Sequence, residues 1–132
     1  MAAKIPAEQL VAWIKDPTLK PNEDYLVVDV RGEDSVGGNI VGAVNIPSDD
    51  FIKDPAQFSQ QLSGAKRLVF HCALSQVRGP KTANVYVNEL LGKQTTSDQE
   101  IYVLEGGFTN WQSKFGQDET LTEKYDAELW KA

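Results

Sequence analysis

Apolar residues fall in short runs whose period alternates between that of buried strands and that of amphipathic helices. Residues 25–30 (Tyr25-Leu26-Val27-Val28-Asp29-Val30) are nearly continuous in apolar character, the pattern of a strand covered on both faces. Residues 42–46, 68–70 and 101–104 repeat that pattern in shorter form. Between them the spacing becomes helical. Leu10, Val11 and Ile14 share one face of residues 7–14, and Asp54-Pro55 supplies an N-cap and a first-turn proline for a helix with Phe58 and Leu62 inward. Ala83, Val87, Leu90 and Leu91 mark a helix over 80–91, and Phe108, Trp111 and Phe115 mark a short one after Gly106-Gly107. Apolar strands alternating with helices predict an α/β domain of three layers: a mostly parallel central sheet with helices on both faces and ligands at the carboxyl ends of the strands. Leu121, Tyr125, Leu129 and Trp130 recur at helical spacing, so residues 116–132 are read as an extension forming a terminal helix packed on the domain.

Composition narrows the class. The chain of 132 residues is read as one domain spanning 1–132, with 41% hydrophobic and 24% charged residues as in ordinary soluble proteins. A formal net charge of −6 and the lack of a basic patch argue against nucleic acid and anionic membrane as partners. No apolar run approaches a membrane span, no secretory signal opens the chain, and a single cysteine cannot form an internal disulfide. A reducing intracellular compartment is expected, the cytoplasm or also the nucleus.

That cysteine, Cys72, ends the strand at 68–70 and starts the run His71-Cys72-Ala73-Leu74-Ser75-Gln76-Val77-Arg78-Gly79-Pro80. Five residues separate Cys72 from Arg78. The loop from Ala73 through these residues to Arg78 can turn its N–H groups toward one centre, with the sulfur below and the guanidinium beside it. Pro80 suits a first helical turn, so the positive end of a helix dipole points to the same place. Sites of this kind favour thiolate over thiol, and the thiolate is the nucleophile. The pattern therefore predicts an oxyanion-binding nucleophilic site. The plain alternative is a small buried cysteine that ends a strand.

Several fragments resemble the rhodanese-fold family: Val28-Asp29-Val30-Arg31, Gly38-Asn39-Ile40, Gly42-Ala43-Val44-Asn45-Ile46-Pro47, the cysteine loop, and Leu104-Glu105-Gly106-Gly107-Phe108 with Trp111. Sulfurtransferases of that family typically have a loop one residue shorter. The longer loop here resembles that of the cell-division-cycle (M-phase inducer) dual-specificity phosphatases and the eukaryotic arsenate reductases. The resemblance implies that Cys72 attacks, that Arg78 binds the transferring oxyanion, and that Ser75 can hydrogen-bond the sulfur. Asp29 and Arg31 read as an internal ion pair or a hydrogen-bonded brace behind the loop, and Asn39, where the family often has histidine, reads as structural.

The expected function is thus a small cysteine-dependent phosphatase acting on phosphotyrosine, phosphoprotein or aryl phosphate through a phosphocysteine. The alternative is an arsenate reductase, with glutathione and glutaredoxin as co-substrates in place of a bound cofactor. Sulfur transfer and a non-catalytic phosphate-binding module are further readings. The loop lacks the glutamate that follows the cysteine in cell-cycle phosphatases, so any general acid has to come from elsewhere or from the substrate. Glu105 and the pair Glu33-Asp34 follow strand ends and are candidates, and His71 is a candidate for tuning the sulfur. Neither a second cysteine nor the cysteine-histidine set that binds zinc in some plant relatives is present, so no metal is expected. The long regulatory N-terminal extension of the cell-cycle enzymes is absent, so a cell-cycle role is not expected.

Overall fold

In a computed structural model, residues 2–92 and 99–130 are described, Leu91 and Gly92 by their backbone alone. A short strand β1 (Ala3–Ile5) leads into helix α1 (Ala7–Lys15) and strand β2 (Leu26–Asp29). A 3₁₀ turn at Glu33–Ser35 precedes β3 (Asn39–Ile40) and β4 (Val44–Asn45), followed by helices α2 (Ser48–Lys53) and α3 (Pro55–Leu62). Strand β5 (Arg67–His71), helix α4 (Arg78–Gly92), strand β6 (Glu100–Leu104) and helix α5 (Gly107–Phe115) complete the main alternation. The main sheet has the order β1-β6-β5-β2-β4 with every pairing parallel. The central strand is β5, so its carboxyl end is the deepest point of the strand-end surface.

Alternation along the strands divides the core in two. Val28, Leu68 and Phe70 pack with Phe51, Leu62 and Tyr86 from α2–α4, while Val27 and Val69 pack with Leu10, Phe108 and Trp111 from α1 and α5. Asp54 caps α3 as the sequence implies, its carboxylate accepting the Gln57 N–H at 3.3 Å. Helix α4 starts two residues before the predicted Pro80, which brings Arg78 and Gly79 into its first turn.

The tail differs from its prediction. Residues 116–132 do not form one helix: Thr122–Glu123 make a strand, β7, antiparallel to β3, and Ala127–Trp130 a 3₁₀ turn. Lys131 and Ala132 lie outside the described residues. The side-chain spacing was real, but its apolar members serve separate contacts. Leu121 is buried, Trp130 packs its ring 5.5 Å from Phe108 and donates to the Gly37 carbonyl at 3.0 Å, and Leu129 is exposed. Trp111 donates to the Thr122 hydroxyl at 2.9 Å and so ties β7 to α5.

Two arrangements fix the end of β5. At the start of α5, Phe108 N–H donates to the Cys72 carbonyl (3.0 Å) and Thr109 N–H to the Ala73 carbonyl (2.9 Å). That close approach requires glycine at 107: its φ is +57°, and a Cβ there would lie 2.5 Å from both carbonyl oxygens. Beside it, fully buried Arg31 makes an ion pair with Asp29, Nη2 to Oδ2 at 2.7 Å, donates to the Gly38 carbonyl at 2.9 Å, and lies 4.3 Å from the Phe108 ring centre. The pairing implied for Asp29 and Arg31 is what the structure holds. Hydrogen bonds to both carboxylate oxygens meet the cost of burying these charges. His71, also fully buried, is 3.1 Å from the Cys72 carbonyl through Nδ1, which places the proton on Nδ1, and its Nε2 has no hydrogen-bond partner among the described residues. Burial holds its pKa below the usual histidine value, against the opposing pull of Asp29.

Gly107→Ala should destabilise the fold by about 3 kcal/mol, the combined scale of a disfavoured backbone conformation and a steric insertion. Urea denaturation checks this, and a midpoint equal to that of the parent would contradict the packing described. His71 is the only histidine, and its folded pKa is depressed. Its contribution to stability is therefore complete above the unfolded value of about 6.5 and lost as pH falls from there toward the folded pKa. The slope should approach about 1.4 kcal/mol per pH unit. Denaturation midpoints between pH 8 and pH 5 should fall for the parent and stay nearly flat for His71→Gln; a flat parent curve would contradict a buried neutral ring.

Candidate active site

Cys72 follows β5 directly and is 3% exposed. Two main-chain donors point at its sulfur: Ser75 N–H at 3.2 Å and Gly79 N–H at 3.3 Å, the second from the first turn of α4. Ser75 takes a left-handed φ of +55°, which curls the loop back over the sulfur, and its hydroxyl accepts from the Cys72 N–H at 3.4 Å. Ser75 thus hydrogen-bonds the sulfur through its backbone N–H. Donors converging on one atom at a helix start stabilise negative charge there.

Arg78, half-buried, occupies the start of α4. Its carbonyl accepts from the Thr82 hydroxyl at 2.7 Å, and that hydroxyl lies 2.8 Å from Ser48 Oγ on α2. Its guanidinium makes a two-pronged ion pair with Asp34, Nη1 to Oδ1 at 2.9 Å and Nη2 to Oδ2 at 2.6 Å. Asp34 raises the basicity of Arg78 further, with Cys72 adding a smaller contribution in the same direction. In return Arg78 holds the Asp34 carboxyl below its usual range. Asp34 is therefore ionised and committed, a poor proton donor.

The candidate residues separate onto two flanks. A cleft of about 350 Å³ beside Arg78 is lined by Glu33, Asp34, Pro47, Ser48 and Asp49. On the other side of the loop, Glu105 lines a hollow of about 250 Å³ with Lys4, Leu74, Ser75 and Gln76. Leu74 and Val77 of the loop are 51% and 70% exposed, so the mouth of the site has an apolar rim. His71 contacts the site through the Cys72 carbonyl, and its ring stacks toward Phe108 at 6.3 Å between centres. Asn39 donates to Glu123 at 3.2 Å in the β3–β7 pairing, a structural place. Sequence reasoning missed the Asp34–Arg78 pair and the Ser48–Thr82 link. The partners lie far apart in the chain, and no local period couples them.

Comparison with known proteins agrees with this geometry. The Rhodanese-like domain model matches residues 7–114. The dual specificity phosphatase ibp1 of Schizosaccharomyces pombe is 35% identical, over 90% of this chain and 94% of its own. Arsenate reductase 2.2 of Oryza sativa subsp. japonica is 39% identical, over 82% of this chain and 80% of its own. The structure of Ygr203w, a yeast protein tyrosine phosphatase of the Rhodanese family, superposes with a TM-score of 0.83 at 31% identity, covering 98% of this chain and 97% of that one. A central parallel sheet, a cysteine loop at its carboxyl edge and relatives of both kinds lead to one assignment: this chain belongs to the rhodanese-like domain family.

Proposed function

We propose that the protein is a cysteine-dependent phosphatase acting on phosphoprotein or aryl phosphate substrates, with Cys72 as nucleophile and Arg78 as the oxyanion-binding group. The observation that carries this reading is the pair of N–H donors, from Ser75 and Gly79, aimed at the Cys72 sulfur from a loop that ends in Arg78. The Cys72 thiolate attacks phosphorus, the ester P–O bond breaks, and the leaving oxygen takes a proton. Water then cleaves the S–P bond, releasing inorganic phosphate and restoring the thiolate. Arg78 and the loop N–H groups other than that of Ser75, which faces the sulfur, offset the charge on the equatorial oxygens. The exposed Leu74 and Val77 at the mouth suit an aryl leaving group. Of the acidic candidates, Glu33 shares the cleft with Arg78, where Asp49 is a further carboxylate, while Glu105 lines the hollow on the other flank of the loop.

Arsenate reduction is the second reading, supported by the likeness to the rice enzyme and by the single cysteine. Arsenate would condense with Cys72, and glutathione would then attack and supply electrons with glutaredoxin, so no second protein thiol is needed. Arsenate and phosphate are near-isosteric, and the same loop serves both.

Rates with p-nitrophenyl phosphate, with arsenate plus glutathione and glutaredoxin, and with thiosulfate plus cyanide separate these readings from sulfur transfer. The first rate should dominate, and a dominant third would contradict the proposal. Cys72→Ser should abolish turnover while still binding tungstate, because a serine hydroxyl stays protonated where a thiol ionises. Near-parent turnover in that variant would remove Cys72 from the mechanism. Arg78→Lys should lose about 10²-fold or more in kcat/KM, since a point charge replaces a planar two-pronged donor. Equal rates would make Arg78 a structural brace.

A further inference from the structure

A guanidinium offers two forked edges: the end edge of Nη1 and Nη2, and the side edge of Nε and the Nη next to it. In this protein Asp34 takes the end edge with both carboxylate oxygens. Asp34 is itself anchored. The Gly32 N–H donates to its Oδ1 at 3.1 Å, and its carbonyl accepts from Arg31 Nη1 at 3.4 Å. Arg31 is locked by Asp29 and by the Gly38 carbonyl. Alternating charges therefore run from the buried Asp29 through Arg31 and Asp34 to Arg78 at the loop, joining the end of β2 to the start of α4. The pair is only half-covered, with side chains 39% and 45% exposed, so its net contribution to fold stability is small. Orientation of Arg78 is what it supplies.

We propose that Asp34 is a positioning residue, holding the end edge of Arg78 so that the side edge, Nε and Nη2, is presented to the oxyanion above Cys72. The proposal rests on Arg78 being the oxyanion-binding group. It excludes Asp34 as the general acid, because a carboxylate that keeps both oxygens on a guanidinium has no proton to give. It also opposes the alternative in which Asp34 occupies the oxyanion's place on Arg78 and competes with substrate. Elements packed around Asp34 carry Arg31 and Arg78 as cations and Glu33 and Asp49 as neighbouring carboxylates.

The test compares Asp34→Asn and Asp34→Glu with the parent and with Asp50→Asn, which makes the same charge change at an exposed site on α2 outside the cleft. Tungstate binding by calorimetry and kcat and KM on p-nitrophenyl phosphate are the readouts. Asp34→Asn should bind tungstate more weakly and lose between about 10- and 100-fold in kcat, the scale of a misplaced reacting group, with a smaller change in KM. Asp50→Asn should match the parent, and Asp34→Glu should recover most of the loss. Tungstate binding that is unchanged or tighter in Asp34→Asn, or a kcat that is unchanged or raised, would overturn the proposal. If Asp34→Asn proves unfolded by circular dichroism, Asp34→Glu carries the test: near-parent tungstate affinity supports it, and loss of binding with the fold intact overturns it. Calorimetry reads Arg78 orientation without turnover. A parent inactive on every substrate would therefore sink the catalytic reading and leave this one to stand or fall on tungstate.

Discussion

The main-chain path from β5 through Cys72 to α4 constrains everything else in the molecule. A loop of five residues must leave a parallel strand, turn the Ser75 N–H back onto the sulfur and enter a helix whose first turn adds the Gly79 N–H. It does so only because the carbonyls of Cys72 and Ala73 are held from behind by the first N–H groups of α5. The carbonyls face α5, so the amides of Ser75 and Gly79 are left to face the sulfur. Gly107 makes that back-side contact possible, since any Cβ would collide with both carbonyl oxygens. Fold and chemistry therefore meet in a few backbone hydrogen bonds, made in an interior where an unsatisfied donor is costly.

A second constraint is electrostatic. The chain carries a net charge of −6 and still presents an anion site. The positive character is local: the helix start, the loop amides and Arg78. Asp34 and Asp29 balance the two arginines nearest the loop, so the site is a short alternation of charges and not a basic surface. Long-range attraction of phosphate is then weak, and selectivity for an oxyanion depends on how well the loop and the fork of Arg78 fit it. The apolar rim of Leu74 and Val77 adds a preference at the leaving group without adding charge.

Much of this was legible in the sequence, because the features that mattered were local. Continuous apolar strands, the Asp54-Pro55 start of α3, the Gly106-Gly107 turn and the cysteine-to-arginine spacing are each short-range patterns with a mechanical cause. What escaped was long-range. The Asp34–Arg78 pair spans two crossovers. The tail's apolar residues sit at helical spacing, but Leu121 and Trp130 fill gaps around α5, and β3 offers an open edge that Thr122–Glu123 can complete. Pairing with an existing strand edge outweighed the weak helix signal of a polar segment. The edge strand β1 was likewise hidden, since its partner β6 lies at the far end of the chain.

The claim on which the account depends is that Cys72 forms a covalent bond to the transferred group. Rapid acid quench of the protein during turnover of an aryl phosphate, followed by intact mass and peptide mapping, tests this directly. The account predicts a transient gain of one phosphoryl group on the peptide carrying Cys72, absent from Cys72→Ser. Steady turnover with no adduct at any quench time, or an adduct mapped to another residue, would contradict it.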